Sequence, residues 1–270
     1  MAGSAAAMPE PARSLAFRGK GVLLDIEGTT SSISYVFDVL FPYAREHLRH
    51  FLEASWDSDE TRAACERVVA DAEAAASAGD EGGDGTALRE MWTRLSEPAD
   101  RDACIELIRV EVIRLMDGDV KATGLKQLQG LIWREGFLSG ELRAHTYDDV
   151  PAALERWRGA GIDVRIYSSG SVEAQRLFFG HTEAGDLLAN FSGHHDTRVG
   201  AKREVSSYRA IVADWGLDAS EVLFVSDVVA ELDAAAVAGM KTALAVRPGN
   251  PPQEAGTHPV IGSFEEIRLD

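Results

Sequence analysis

Cysteine is scarce in this 270-residue chain, which has only Cys65 and Cys104. Both sit in helically patterned stretches, and neither has a second cysteine nearby to complete a metal knuckle. A disulfide framework and a zinc ribbon are therefore excluded, and buried free thiols in a reducing, cytoplasmic setting are expected. No run of eighteen apolar residues occurs, so no membrane span is expected. The opening MAGSAAAMPEPARSLAFRGK lacks the basic start and long apolar centre of a secretory signal, and residues 1–19 read as a flexible tail. Positive charge is also in short supply. With 27 Lys and Arg against 44 Asp and Glu the formal net charge is −17, which argues against nucleic acid and anionic membrane as partners, since both demand clustered cations. An anionic substrate would have to be met by a metal ion, a single lysine or backbone N–H groups.

What is present is the composition of a globular protein, 45% apolar and 26% charged. Four short apolar runs stand out: GVLLDIEG at 21–28, IDVRIYSSGS at 162–171, EVLFVSD at 221–227 and KTALAVRPG at 241–249. Each reads as a strand buried on both faces. The amphipathic segments PAALERWRGAG, VEAQRLFFGH, REVSSYRAIVADWG and ELDAAAVAGM lie around and between the later runs. This alternation predicts an α/β fold with a parallel sheet covered by helices. Residues 32–145 differ in texture: helical spacing recurs in VFDVLFPYAREHLRHFLEAS, TRAACERVVADAEAAA, RDACIELIRVEVIRLM and LKQLQGLIWREG, with no convincing strand. The Gly- and acid-rich SAGDEGGDG at 77–85 reads as a solvated loop. The expected organisation is an α/β core over 20–31 and 146–270, with a helical cap over 32–145 inserted after the first strand as a lid.

Ligands of such sheets bind beyond the carboxyl ends of the strands, where polar residues collect here. Asp25 and Glu27 in LLDIEGTT alternate, so an extended strand would point both carboxylates one way, and they would repel unless a cation lay between them. Mg²⁺ suits such a pair, because it takes hard oxygen ligands and is usually held by one or two carboxylates plus substrate phosphate. Taken singly, each acid is as well explained by a turn or a solvated surface. Ser168 and Ser169 in YSSGS precede a helix start, where hydroxyls and exposed N–H groups can cradle phosphate. Ser171 is better read as the N-cap of that helix. Lys202 in GAKRE would ordinarily be a surface charge, but its place between the second and third strands of so acidic a chain makes it a candidate phosphate partner. Asp227 ends the third strand where a further ligand of the same ion would sit, whereas Glu231 and Asp233 are weaker candidates that the first turn of a helix would favour anyway. GHHDT at 193–197 reads as a polar loop, because adjacent histidines seldom face one ion and no HExxH spacing supports zinc. A serine-hydrolase elbow is absent as well.

Taken in order, Asp25-Ile26-Glu27-Gly28-Thr29, Ser168-Ser169, Lys202 and Asp227 resemble the landmarks of the haloacid dehalogenase superfamily. Its fold is a doubly wound parallel sheet with an inserted cap. Glu27 stands where a second aspartate is usual. That departure, with DIEGTTSSISYVFDVLFPYA, YSSGSVEAQRLFFGH and AVRPGN, is similar to the enolase-phosphatases of methionine salvage. The resemblance implies enolisation of 2,3-diketo-5-methylthiopentyl-1-phosphate followed by dephosphorylation to the acireductone, with one Mg²⁺ per subunit. Asp25 would be the nucleophile and Glu27 the general acid and base. Ser168, Ser169 and Lys202 would bind substrate, with Lys202 also catalytic, while Asp25, Glu27 and Asp227 would hold the metal, Glu27 through its backbone carbonyl. A monomer is expected. Two alternatives are a sugar-phosphate phosphatase on the same scaffold and a non-catalytic phosphate-binding module.

Overall fold

The computed structural model describes residues 14–78, 85–94 and 100–270. It divides into two compact units, one built from the chain up to Val36 together with Arg143–Asp270, the other from Phe37–Leu142.

In the first unit the strands are β1 (Leu15–Phe17), β2 (Gly21–Leu24), β3 (Asp163–Tyr167), β4 (Gly193–His195), β5 (Val222–Ser226), β6 (Lys241–Ala245), β7 (Val260–Ile261) and β8 (Ile267–Leu269). Six of them form one wholly parallel sheet in the order β4-β3-β2-β5-β6-β7. All four residues of β2 are buried, as its unbroken apolar run predicts for a central strand. Leu24 stands opposite Ile166 of β3 and Val225 of β5, so the next residue of each strand falls at the same edge of the sheet. The chain runs outward on one side of β2 through β3 and β4 and on the other through β5 to β7. Such a reversal leaves a crevice beyond the carboxyl ends.

A short helix, α1 (Ile33–Tyr35), leads through a π-helical turn at Val36–Leu40 into α2 (Phe41–Ser55), followed by α3 (Asp59–Ser77), α4 (Gly85–Arg94), α5 (Arg101–Asp117) and α6 (Thr123–Ser139). The chain then enters α7 (Asp149–Gly159), α8 (Val172–Gly180), α9 (Val205–Trp215) and α10 (Val229–Val237). Helices α2 to α6 make up the second unit. Their inward residues form one core that includes Leu48, Leu52, Val68, Ile108 and Leu128, all at most 1% exposed. Helices α3 and α6 come close at Gly124, where a Cβ would strike the backbone of Arg67 and Val68, and Asp71 Oδ2 accepts the Gly124 N–H at 2.8 Å. Cys65 and Cys104 are buried and form no disulfide among the described residues. Among the described residues no helix is long and apolar enough to cross a membrane.

Three expectations need correction. The tail expected over 1–19 is structured from Leu15, because β1 pairs in parallel with β8 at the other end of the chain; residues 1–13 lie outside the described residues. GHHDT is not a loop: Gly193, His194 and His195 form the outer strand β4 against β3. A three-residue strand is too short to show a period, and its polar composition hid it. Helix α4, with Leu88 buried, was not anticipated. Of the loop expected over 77–85, residues 79–84 lie outside the described residues; Ser77 ends α3 and Gly85 begins α4.

Candidate active site

Strand β2 ends at Leu24, one residue short of Asp25, although the Asp25 N–H still donates to Val225 O at 3.1 Å. The chain then turns: the N–H groups of Thr29, Thr30 and Ser31 all donate to Ile26 O, and Gly28 takes a left-handed φ of 72°. A Cβ at Gly28 would run into the Asp227 carboxylate, so glycine is required by both conformation and space. The extended strand expected to carry Asp25 and Glu27 on one face is therefore replaced by a turn. Asp25 is buried and Glu27 is exposed.

Asp25 is held from several sides. Its Oδ1 accepts from the Ile26 N–H at 2.7 Å and lies 2.7 Å from Lys202 Nζ. Its Oδ2 has a longer contact, 3.3 Å, with the Ser226 hydroxyl. Lys202 Nζ lies 2.7 Å from Glu231 Oε2 as well, so one ammonium bridges two carboxylates from different elements. The Lys202 side chain is only 11% exposed. Burial opposes its charge, yet the adjacent carboxylates of Asp25 and Glu231 outweigh that penalty and raise its pKa. Tyr208 Oη donates to Lys202 O at 2.6 Å and fixes the backbone beneath this side chain. The Ser226 hydroxyl can donate either to Glu231 Oε2, at 3.0 Å, or to Asp25 Oδ2, while accepting the Val228 N–H.

Asp227 is 7% exposed at the end of β5. Burial, reinforced by the charge of Asp25, pushes its carboxyl up to about 7. Glu231 is raised by the same two causes, burial first. Lys202 thus contacts two of three neighbouring buried carboxylates, Asp25 and Glu231 but not Asp227, leaving excess negative charge that a divalent cation would neutralise. Among the described residues no group of three or more His, Cys, Asp or Glu side chains is disposed to hold a metal ion by itself. The donor set fits Mg²⁺ nonetheless, because that ion keeps several waters and needs only one or two carboxylates.

Ser168 and Ser169 follow β3. Ser168 is buried, and its Oγ accepts the Gly170 N–H at 3.3 Å; Ser169 is exposed. Ser171 caps α8, its Oγ accepting from Ala174 N at 3.1 Å, as its position predicts. Gln175 Nε2 donates to Gly170 O and His195 O, tying this loop to β4. Asp233 is turned elsewhere, 3.0 Å from His258 Nε2.

Sequence reasoning left Ser226 and Asn250 unnamed and gave Glu231 little weight. Ser226 and Glu231 follow a strand end already singled out, so their nearness to Asp227 was the available signal. Asn250 lies more than two hundred residues from Gly28, whose carbonyl it holds with Nδ2 at 2.8 Å. Nothing local marks that contact.

The haloacid dehalogenase-like hydrolase family matches residues 20–239. Curated relatives named enolase-phosphatase E1 are similar over most of their length. The protein from Thioalkalivibrio sulfidiphilus is 47% identical over 248 residues, covering 92% of this chain and 98% of the relative. That from Drosophila melanogaster is 43% identical over 231 residues, covering 86% and 84%. Among solved structures, the UTR4 protein of Saccharomyces cerevisiae superposes with a TM-score of 0.70 at 33% identity, over 93% of this chain and 100% of that one. YfnB from Bacillus subtilis shares the fold, with a TM-score of 0.51 at 15% identity over 92% of this chain and 96% of that one.

Proposed function

Because the chain belongs to the haloacid dehalogenase-like hydrolases, and among them to the enolase-phosphatases E1, we propose that family's reaction as its own. It converts 2,3-diketo-5-methylthiopentyl-1-phosphate to the acireductone and phosphate in methionine salvage, by enolisation and then hydrolysis of the phosphate ester. The observation that carries the residue assignment is the buried Asp25 carboxylate, held at Oδ1 by Lys202 Nζ and the Ile26 N–H.

In the phosphatase step Asp25 attacks phosphorus. Its Oδ2 is the oxygen left for that bond, because two short contacts already occupy Oδ1. As the new O–P bond forms, the bond from phosphorus to the oxygen on C1 breaks, and Glu27 supplies a proton to the departing oxygen. Water then attacks the aspartyl-phosphate, Glu27 takes a proton from it, and phosphate leaves with Asp25 restored. Lys202 pairs with the Asp25 carboxylate and faces the phosphoryl oxygens, while Ser168, Ser169 and the N–H groups of their loop orient them. Mg²⁺, held by Asp25, Asp227 and the Glu27 carbonyl, one ion per subunit, would supply positive charge for the phosphoryl group and the enediolate. For enolisation, Glu27 is the candidate to accept the C1 proton. We take the working unit to be a monomer.

Purified protein incubated with the diketone-phosphate should show enol absorbance and then free phosphate, both dependent on Mg²⁺. Asp25→Asn should abolish phosphate release while leaving the protein folded. Phosphate release by that variant at the parent rate would refute the assignment. Common sugar phosphates serve as the comparison, and faster turnover of one of them would favour a general sugar-phosphate phosphatase.

A further inference from the structure

The turn after β6 reaches back to the loop that carries Asp25. Asn250 Nδ2 donates to Gly28 O at 2.8 Å and to Ala245 O at 3.2 Å, and its own N–H donates to Arg247 O. Arg247 Nε donates to the next carbonyl along, Thr29 O, at 3.0 Å. Two successive carbonyls of the loop are thus gripped by two side chains of one four-residue turn, Arg247-Pro248-Gly249-Asn250.

Arg247 is itself rigidly held. It is 5% exposed, with its guanidinium carbon 4.6 Å from the ring centroid of Tyr147 and 4.7 Å from that of Phe264. Its Nη1 donates to Asp149 Oδ1 at 3.0 Å and Gly262 O at 2.8 Å, and Nη2 lies 2.9 Å from Asp149 Oδ2. Asp149 Oδ2 in turn accepts from Ser263 Oγ at 3.0 Å and Phe264 N at 2.5 Å. A planar, multiply bonded arginine has few alternative poses, so the Thr29 carbonyl is fixed relative to β6, α7 and the C-terminal segment.

We propose that Arg247 and Asn250 are positioning residues for this reaction: by holding the carbonyls of Thr29 and Gly28 they keep the Asp25–Thr29 turn in the pose that aims Asp25 at phosphorus. The need for such a clamp is visible at Gly28. The left-handed residue stands against Asp227, and a turn closed chiefly on Ile26 O could shift there without losing a strand contact. A displacement of about 1 Å at a nucleophile can cost roughly 100-fold in rate. Neither side chain need touch substrate for this effect.

The inference rests on the enolase-phosphatase reading, and the two fail separately: a parent protein that releases no phosphate from the diketone-phosphate refutes the reading before any variant is compared. Given an active parent, the test measures kcat and KM per folded molecule for Asn250→Ala and Arg247→Lys. The lysine keeps a charge beside Asp149 but lacks the Nε donor to Thr29 O. Arg156→Met is the control, since Arg156 donates to Phe264 O at 2.9 Å in the same C-terminal segment and is not bonded to the Asp25 turn. We expect kcat to fall at least tenfold beyond the control in both variants, with KM within about threefold of the parent. A smaller fall in kcat, or a loss carried by KM alone, overturns the proposal.

Discussion

Lys202 Nζ stands 2.7 Å from Asp25 Oδ1, and both side chains are almost wholly withdrawn from water. The same ammonium serves Glu231 at equal distance, so its removal strands two carboxylates at once.

Lys202→Met should therefore reduce phosphate release by at least about 100-fold, and it should also destabilise the fold at neutral pH by about 3–5 kcal/mol. The sign of the pH effect follows from the carboxylates. Burial already raises the Glu231 carboxyl, and without the lysine it favours the protonated form in the folded state still more, so the deficit is greatest well above the ordinary carboxylate range and shrinks as the pH falls toward it. Urea unfolding of parent and variant at pH 8 and pH 5 checks this; an equal deficit at both would contradict the pairing.

Gly28→Ala tests the turn. A left-handed φ costs a side-chain residue about 1–2 kcal/mol, and the added methyl meets the Asp227 carboxylate. A loss of thermal stability of that size is expected, together with a fall in kcat of about 100-fold, because the methyl displaces the turn or Asp227. Calorimetry and steady-state kinetics on one preparation give both numbers.

Glu27→Gln should leave stability within about 0.5 kcal/mol, since Glu27 is exposed, while lowering phosphate release by about 10²–10⁴-fold. If Glu27 activates the hydrolytic water, the aspartyl-phosphate should accumulate in the variant and be captured as acid-stable phosphoprotein after rapid quenching. Parent-like turnover in both steps would remove Glu27 from the mechanism.

A pH dependence unconnected with catalysis arises at β4. Burial, aided by the charge of Arg176, lowers His194 to about 4, and its Nδ1 lies 3.2 Å from Gln175 Oε1. In the unfolded chain it titrates near 6.5. Between those values the unfolded state binds the extra proton, so stability falls as the pH drops from about 6.5 to 4. His194→Asn should flatten that part of the profile, with His195, also lowered by burial, retaining its own share. Unfolding midpoints taken every half pH unit would show the change in slope.

Much of the architecture was legible before any coordinates, and the central strands show why. GVLL and VLFVS are short apolar runs buried on both faces, and alternation of such runs with amphipathic segments leaves a parallel sheet as the economical arrangement. Asp25, Ser168 and Asp227 could be named because each is the first or second polar residue past such a run, and a parallel sheet aligns those ends. The outer strands were not legible. β1, β4, β7 and β8 have two or three residues each, too few to carry a period, and they exist only because a longer or distant partner supplies hydrogen bonds.

By itself the sequence determined the alternating elements, the order of the polar strand ends and the excess of acid over base, because these follow from local composition and from periods of two and 3.6 residues. Tertiary structure alone decided that a turn rather than an extended strand carries Asp25 and Glu27, that Glu231 shares Lys202 with Asp25, and that Arg247 and Asn250 grip carbonyls more than two hundred positions earlier. Those outcomes depend on hydrogen bonds and charges meeting across the sheet, and such meetings have no counterpart in the spacing of residues along the chain.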